Sequence, residues 1–345
     1  MRPQQRAGLQ EVPPKSWDAL LGESGVHDIY FRRAYVEASC LIEAGRPTYL
    51  HASGEKGAVA FACIVRDDPT DVTTPYGCGG PVALGPEPPV ERFWQLYEVW
   101  CRERGVVTSF LRFHPLLGNQ REARLHVERL GRTVDWRLDP RIDLRSAMDK
   151  HHRRVIRKAE REGLEARIEE EPASLEQFIV LYEQTMRRNA AADFYLFPTA
   201  YWRALHGSLG RWLVRVEVRR GVELHASLLL FAAWPWVHYH LGASSDEGRT
   251  IGASHLALLA AARWAQERGY ERLHLGGGIG GREDSLFEFK RRFCPDGFAE
   301  CAIGKVVHDP ARYRELSGSD PAALDGYFPA YRDPARKRLA GEPSQ

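Results

Sequence analysis

The stretch VHYHLGASSDEGRTIGASHLALLAAARWAQERGYERLHL, residues 237–275, decides the fold class. Its opening VHYHLGA reads as a strand, and SSDEGRTIG is a polar, glycine-bearing turn. ASHLALLAAARWAQERG is a small-residue helix closed by Gly269, and YERLHL is a second strand. Strand, helix and strand in succession spell an α/β layer. Two further strand runs, residues 212–219 and 223–233, precede the segment, and turns around Gly221 and Pro235 join all three into a meander.

The first half repeats the theme. A helix is expected over residues 32–44 and strands over 48–52 and 59–65. The Gly- and Pro-rich loop TTPYGCGGP (73–81), a helix over 90–104 and the strand VVTSFLRFHP (106–115) follow. The pattern changes near residues 143–150, where the charged helix KHHRRVIRKAEREG begins, so the domain junction is expected just before it. The expected division is 1–147, with 308–345 returning to it, and 148–307.

Hydrophobic residues make up 43% and charged residues 27% of 345, enough for two packed cores and too apolar for a disordered chain. The formal charge of +2 gives no global polyanion signature, so the distribution of charge matters more than its sum. Six cysteines without C-x-x-C spacing argue against a zinc site or a disulfide framework, and no metal is expected. The longest apolar run, 224–237, is interrupted by His225 and Pro235 and is shorter than the roughly 20 residues of a span. The amino terminus has no apolar signal core, and a cytoplasmic location without membrane association is the expectation.

Several groups carry potential chemistry. Lys150, Arg154, Arg157, Lys158 and Arg161 recur at three- and four-residue spacings, which a helix gathers into one stripe. It serves as a phosphate track or as a solvated face. Arg249-Thr-Ile-Gly252-Ala253-Ser254 leads into a helix start, whose N–H groups suit an anion. G-x-G-x-x-G at 276–281 is followed by a helix beginning with Arg282, Glu283 and Asp284 instead of close-packing small residues, lacks the acidic residue of a dinucleotide site, and reads as a substrate-channel loop. His238 and His240 share a strand face without a third ligand at credible spacing. No Ser-His-Asp or Cys-His arrangement is evident.

The Arg249–Ser254 segment resembles the coenzyme A loop of GCN5-related N-acetyltransferases, with Ser254 where that family has Gly or Ala. DSLFEFKRRF (284–293), RVIRKAEREGLEA (154–166) and the strand ending Arg112-Phe-His114-Pro together resemble the Fem family of aminoacyl-tRNA-dependent ligases over about residues 28–313. The resemblance implies two tandem GCN5-related N-acetyltransferase-like α/β domains. It also implies an aminoacyl-tRNA co-substrate without a further cofactor, and a small amine or peptide acceptor. Phe289 and Lys290 match its F-K pair, implying an aromatic beside the terminal adenosine and a lysine facing the ester carbonyl. Arg291 and the 150–161 stripe would meet the tRNA.

Tyr76, Arg112, Tyr201, Arg249 and Gly252 fall at substrate-binding positions in this register. His114 replaces the family's aspartate and is a candidate proton acceptor, with an ordinary pKa of about 6.5. Phe197 stands where peptidoglycan ligases carry a diphosphate-gripping arginine. That departure points to amide formation on an acceptor without a nucleotide, as in natural-product biosynthesis. A coenzyme A-dependent N-acyltransferase, an interpeptide-bridge ligase and an RNA-binding protein on a degenerate scaffold are the competing readings.

Overall fold

A computed structural model describes residues 8–339. Along the chain come β1 (Leu9–Glu11), α1 (Pro14–Glu23), α2 (Arg33–Glu43), β2 (Gly45–Ser53), β3 (Lys56–Arg66), β4 (Asp71–Thr73), β5 (Val82–Glu87), α3 (Val90–Glu103) and β6 (Thr108–Arg112). Next are β7 (His126–Arg137), α4 (Leu144–Ala147), α5 (Lys150–Arg161), β8 (Glu165–Glu170), α6 (Glu176–Arg188), α7 (Thr199–Leu209), β9 (Leu213–Arg220), β10 (Glu223–Ala233) and β11 (Trp236–Ser244). The remainder is α8 (Asp246–Ile251), α9 (Ala253–Glu267), β12 (Arg272–Gly276), α10 (Ser285–Arg291), β13 (Phe298–Val307), α11 (Pro310–Ser317) and α12 (Pro334–Leu339). The described residues form two compact units: 8–26, 43–129 and 302–339 in one, His27–Ile42 and Leu130–Cys301 in the other.

In the first unit, β2 and β3 pair antiparallel along their length, β4 continues on β3, and β6 lies parallel to β4. A parallel neighbour demands a crossover, which α3 supplies. Seven consecutive residues of β3, Val59–Val65, are buried. Strands flank it on both edges and side chains cover both faces, so it reads as an unbroken apolar run. Phe61 meets Phe93 and Tyr97 of α3 edge-on, fixing that helix on one face. The carboxy-terminal segment belongs to this unit: the Tyr331 hydroxyl and the Arg332 guanidinium both donate to Asp71, which is fully buried on β4.

The second unit repeats the plan. β8, β9, β10 and β11 form the antiparallel meander, α9 crosses over, and β12 lies parallel to β11. Period-two alternation divides β10 between two faces. Ala226, Leu228, Leu230 and Ala232 join the α9 core, together with Val214, Val216 and Val218 of β9. Nine of the fifteen α9 residues are buried, five of them alanine, so its backbone lies close to the sheet and only a small-residue face fits there. α5 packs on α9, whereas α6 packs on β10 and β11. The mixed α/β class and the repeated order of elements agree with the sequence reading.

Candidate functional site

Asp284 builds the local frame. One carboxylate oxygen accepts from the backbone N–H groups of Leu286 (2.9 Å) and Phe287 (3.0 Å), capping α10, while the other accepts from Ile279 (2.9 Å) in the glycine loop. Burial pushes its pKa up, but these backbone donors prevail and hold it below the carboxylate range. Gly278 faces this carboxylate so closely that a Cβ there would stand 2.0 Å from Oδ1. Packing against Asp284 therefore requires glycine at this position, a constraint the reading of 276–281 as a substrate-channel loop did not include.

Two turns of such a frame bring Lys290 inward. It is 7% exposed, its Nζ donates to the carbonyl of Gly277 at 2.7 Å, and it lies 5.1 Å from the Tyr239 ring centroid. Burial lowers its pKa to about 8, against the opposing charge of Asp284. The amine is thus a desolvated donor held at a loop carbonyl and an aromatic face.

Phe289 packs against His255 (4.9 Å between centroids), His152 and Phe293. Its backbone carbonyl lies 2.9 Å from Nε2 of His152. A carbonyl only accepts, so that nitrogen carries the proton. The Asp149 backbone N–H also donates to the carbonyl of Arg292 at 2.9 Å. The start of α5 is therefore hydrogen-bonded at two points to the segment carrying the F-K pair.

α5 is capped by Asp149, whose side chain accepts from the His151 N–H, and it buries His152, Ile156 and Ala159. The opposite side presents Lys150, Arg154, Arg157, Lys158 and Arg161, all exposed. Glu160 is taken by Arg145, and none of the five cations has an ion-pair partner among the described residues. Arg291, by contrast, pairs with Glu288 at 2.6 Å. The exposed Arg292 lies beside the α5 start and was not singled out by sequence reading, for nothing in RR distinguishes the two arginines.

The Arg249–Ser254 segment is not an open loop. Arg249 is exposed within the short helix α8, and Gly252, at φ +86°, links it to α9. A Cβ on Gly252 would fall 2.5 Å from Cγ1 of Val155, because α5 lies over this helix start. Gly252 and Ala253 are buried.

The other side of β11 carries a different group. His238 and His240 face away from Tyr239, as alternation requires. Tyr201 is fully buried with its hydroxyl 2.9 Å from Nε2 of His240, and burial lowers the pKa of that imidazole to about 3. Phe197 lies 4.9 Å from Tyr201 and stacks on Tyr182 at an 11° interplanar angle. The carboxylate of Asp28 lies 2.6 Å from Nε2 of His238, and the other nitrogen of His238 lies 3.3 Å from Nδ1 of His274. Tyr201 and Lys290 thus answer to opposite faces of one strand. The role of Asp28 was invisible in sequence because 210 positions separate it from His238.

In the first unit, Arg112 reaches Glu43 at 3.0 Å and the carbonyl of Thr74 at 3.1 Å. His114 is fully buried, and its Nδ1 accepts from the Leu117 N–H at 3.3 Å. Tyr76 is half-buried in the 73–81 loop.

Residues 146–291 match the model of the acetyltransferase (GNAT) domain family. No curated protein matches the chain in sequence. Among solved structures, FemX superposes with a TM-score of 0.63 at 12% identity, over 89% of this chain and 99% of its own. L-PGS from Bacillus licheniformis gives 0.55 at 13% identity, over 87% and 93%. A tandem GNAT protein from the clavulanic acid biosynthesis pathway gives 0.53 at 11% identity, over 88% and 99%. The GNAT-like fold is thus shared along nearly the whole chain, and residues 146–291 match the acetyltransferase (GNAT) domain family.

Proposed function

We propose that the chain transfers an aminoacyl group from a charged tRNA to an amine, forming an amide on a small or peptide acceptor. The observation that carries the reading is the junction of α5 with α10. A helix bearing five exposed, unpaired cations is hydrogen-bonded to the carbonyl of Phe289, the residue before Lys290. Polyanion binding needs the first feature and ester aminolysis the second.

In this mechanism the acceptor nitrogen attacks the ester carbonyl carbon. Charge collects on the carbonyl oxygen, and collapse expels the ribose hydroxyl as the amide forms. The Lys290 ammonium offsets the developing charge, and because the site is desolvated the interaction is stronger than in water. The incoming nucleophile reacts as the free amine, its proton passing to solvent or the leaving oxygen.

Coenzyme A dependence is less well supported. The helix start that would hold its phosphates lies under Val155, and Gly252 and Ala253 there are buried. The acceptor is taken to lack a nucleotide diphosphate, since Phe197 sits in an aromatic cluster where a cation would be needed. The test is incubation with a mixture of radiolabelled aminoacyl-tRNAs and candidate amines, with acetyl-CoA in parallel. Amide product from charged tRNA alone supports the proposal; product from acetyl-CoA alone overturns it.

A further inference from the structure

We infer that His151, His152 and His255 form a binding site for a divalent transition-metal ion of the zinc class. One ring nitrogen from each lies within 4.8 Å of the others. Tetrahedral zinc with Zn–N bonds of about 2.0–2.1 Å brings its nitrogens roughly 3.4 Å apart, so the triad has to close by at most about 1.4 Å. His151 is exposed, while the rings of the other two are packed at a 4.5 Å centroid separation.

The packed rings are prepared for a ligand. His152 is 2% exposed, and its Nε2–H is used by the carbonyl of Phe289. The remaining Nδ1 is therefore the unprotonated nitrogen, and it is buried with no hydrogen-bond partner. An N–H donated to a backbone carbonyl is the arrangement that orients a metal-binding imidazole and raises its basicity. Nδ1 of His255 is likewise buried and unpartnered, and burial keeps that ring neutral, the form that binds metals. Two buried imidazole nitrogens without partners are a cost that a shared cation removes.

The charge around the triad sets limits. The helix starts of α5 and α9 and the side chains of Lys150 and Arg292 oppose a cation, and the Asp149 carboxylate favours it. Soft, nitrogen-preferring ions are selected over calcium or magnesium. Three imidazoles leave a fourth position for water or an anion. Sequence spacing hid this group because His255 lies more than a hundred residues from the other two.

The untagged, chelator-stripped full chain is titrated with Co2+ and then Zn2+. The expected result is one equivalent of Co2+ showing the intense visible bands of tetrahedral coordination, displaced by one equivalent of Zn2+. His151→Ala alters an exposed side chain and leaves the fold intact; it should weaken Zn2+ binding by on the order of a hundredfold. His255→Gln should abolish the tetrahedral spectrum while circular dichroism stays unchanged. A weak, octahedral-type Co2+ spectrum, or equal Zn2+ affinity in the wild type and His151→Ala, overturns the assignment.

Discussion

Lys290 donates its ammonium to the carbonyl of Gly277 at 2.7 Å, so the proposed transition-state cation is held by the loop beside it. The pairing explains how a charge survives with 7% exposure, and it fixes what removal of the lysine should do. Lys290→Met keeps the stem and deletes the charge. It should lower kcat by on the order of a hundredfold, the loss associated with one oxyanion partner, with tRNA affinity nearly unchanged. Wild-type turnover at saturating substrates would remove Lys290 from the mechanism.

The same lysine gives a pH signature. Its folded pKa of about 8 lies below its ordinary 10.5, so the unfolded chain binds more protons between those values. Its contribution to stability therefore rises with pH from about 8 to 10.5, and Lys290→Met should flatten that rise in thermal melts. Catalysis has the opposite sign: kcat should fall as pH climbs through about 8, because the ammonium is lost. A kcat that rises unchecked to pH 10 contradicts the assigned role.

For the stripe on α5, Arg154→Glu with Arg157→Glu should weaken tRNA binding without shifting the melting temperature. Wild-type affinity should fall steeply with salt, and the slope should become shallower in the double variant as phosphate contacts disappear. An affinity flat in salt would return these residues to the role of a solvated face.

Phe289→Ala is expected to raise the KM for charged tRNA and spare kcat, since a base stacked on an aromatic is worth roughly 1–3 kcal/mol. Steady-state kinetics with tRNA as the varied substrate separate this from the lysine effect. A loss confined to kcat would mean that the ring positions Lys290 instead.

Stability of the first unit should hinge on Asp71, fully buried and shared by Arg66, Tyr331 and Arg332. Asp71→Ala removes the buried carboxylate that two guanidinium groups share and should cost about 3–5 kcal/mol, seen as a shifted denaturation midpoint. A midpoint within error of the wild type would show that the carboxy-terminal segment holds without the Asp71 contacts.

The sequence disclosed much of this where one segment carried its own explanation. The α9 face was legible from its alanines, β3 from its unbroken apolar run, and α5 from the spacing of its cations. What stayed hidden depends on distance in the chain. Glu43 meets Arg112, Asp28 meets His238, and His255 joins His152 only through tertiary packing. The Arg249–Ser254 segment looked open because its letters fit a loop, and nothing in them foretells that Val155 will cover Gly252.

That cover makes Gly252 a spacer for the whole basic helix. A single added methyl at this position would have to occupy volume already held by Cγ1 of Val155, at a backbone φ of +86° that side chains rarely adopt, so Val155 or α5 would have to shift. Because the start of α5 is also tied to Phe289, such a displacement would travel to the reacting end as a change of alignment. The register between the basic helix and the Phe289–Lys290 pair, the two ends of the proposed site, is therefore gauged by the absence of one side chain.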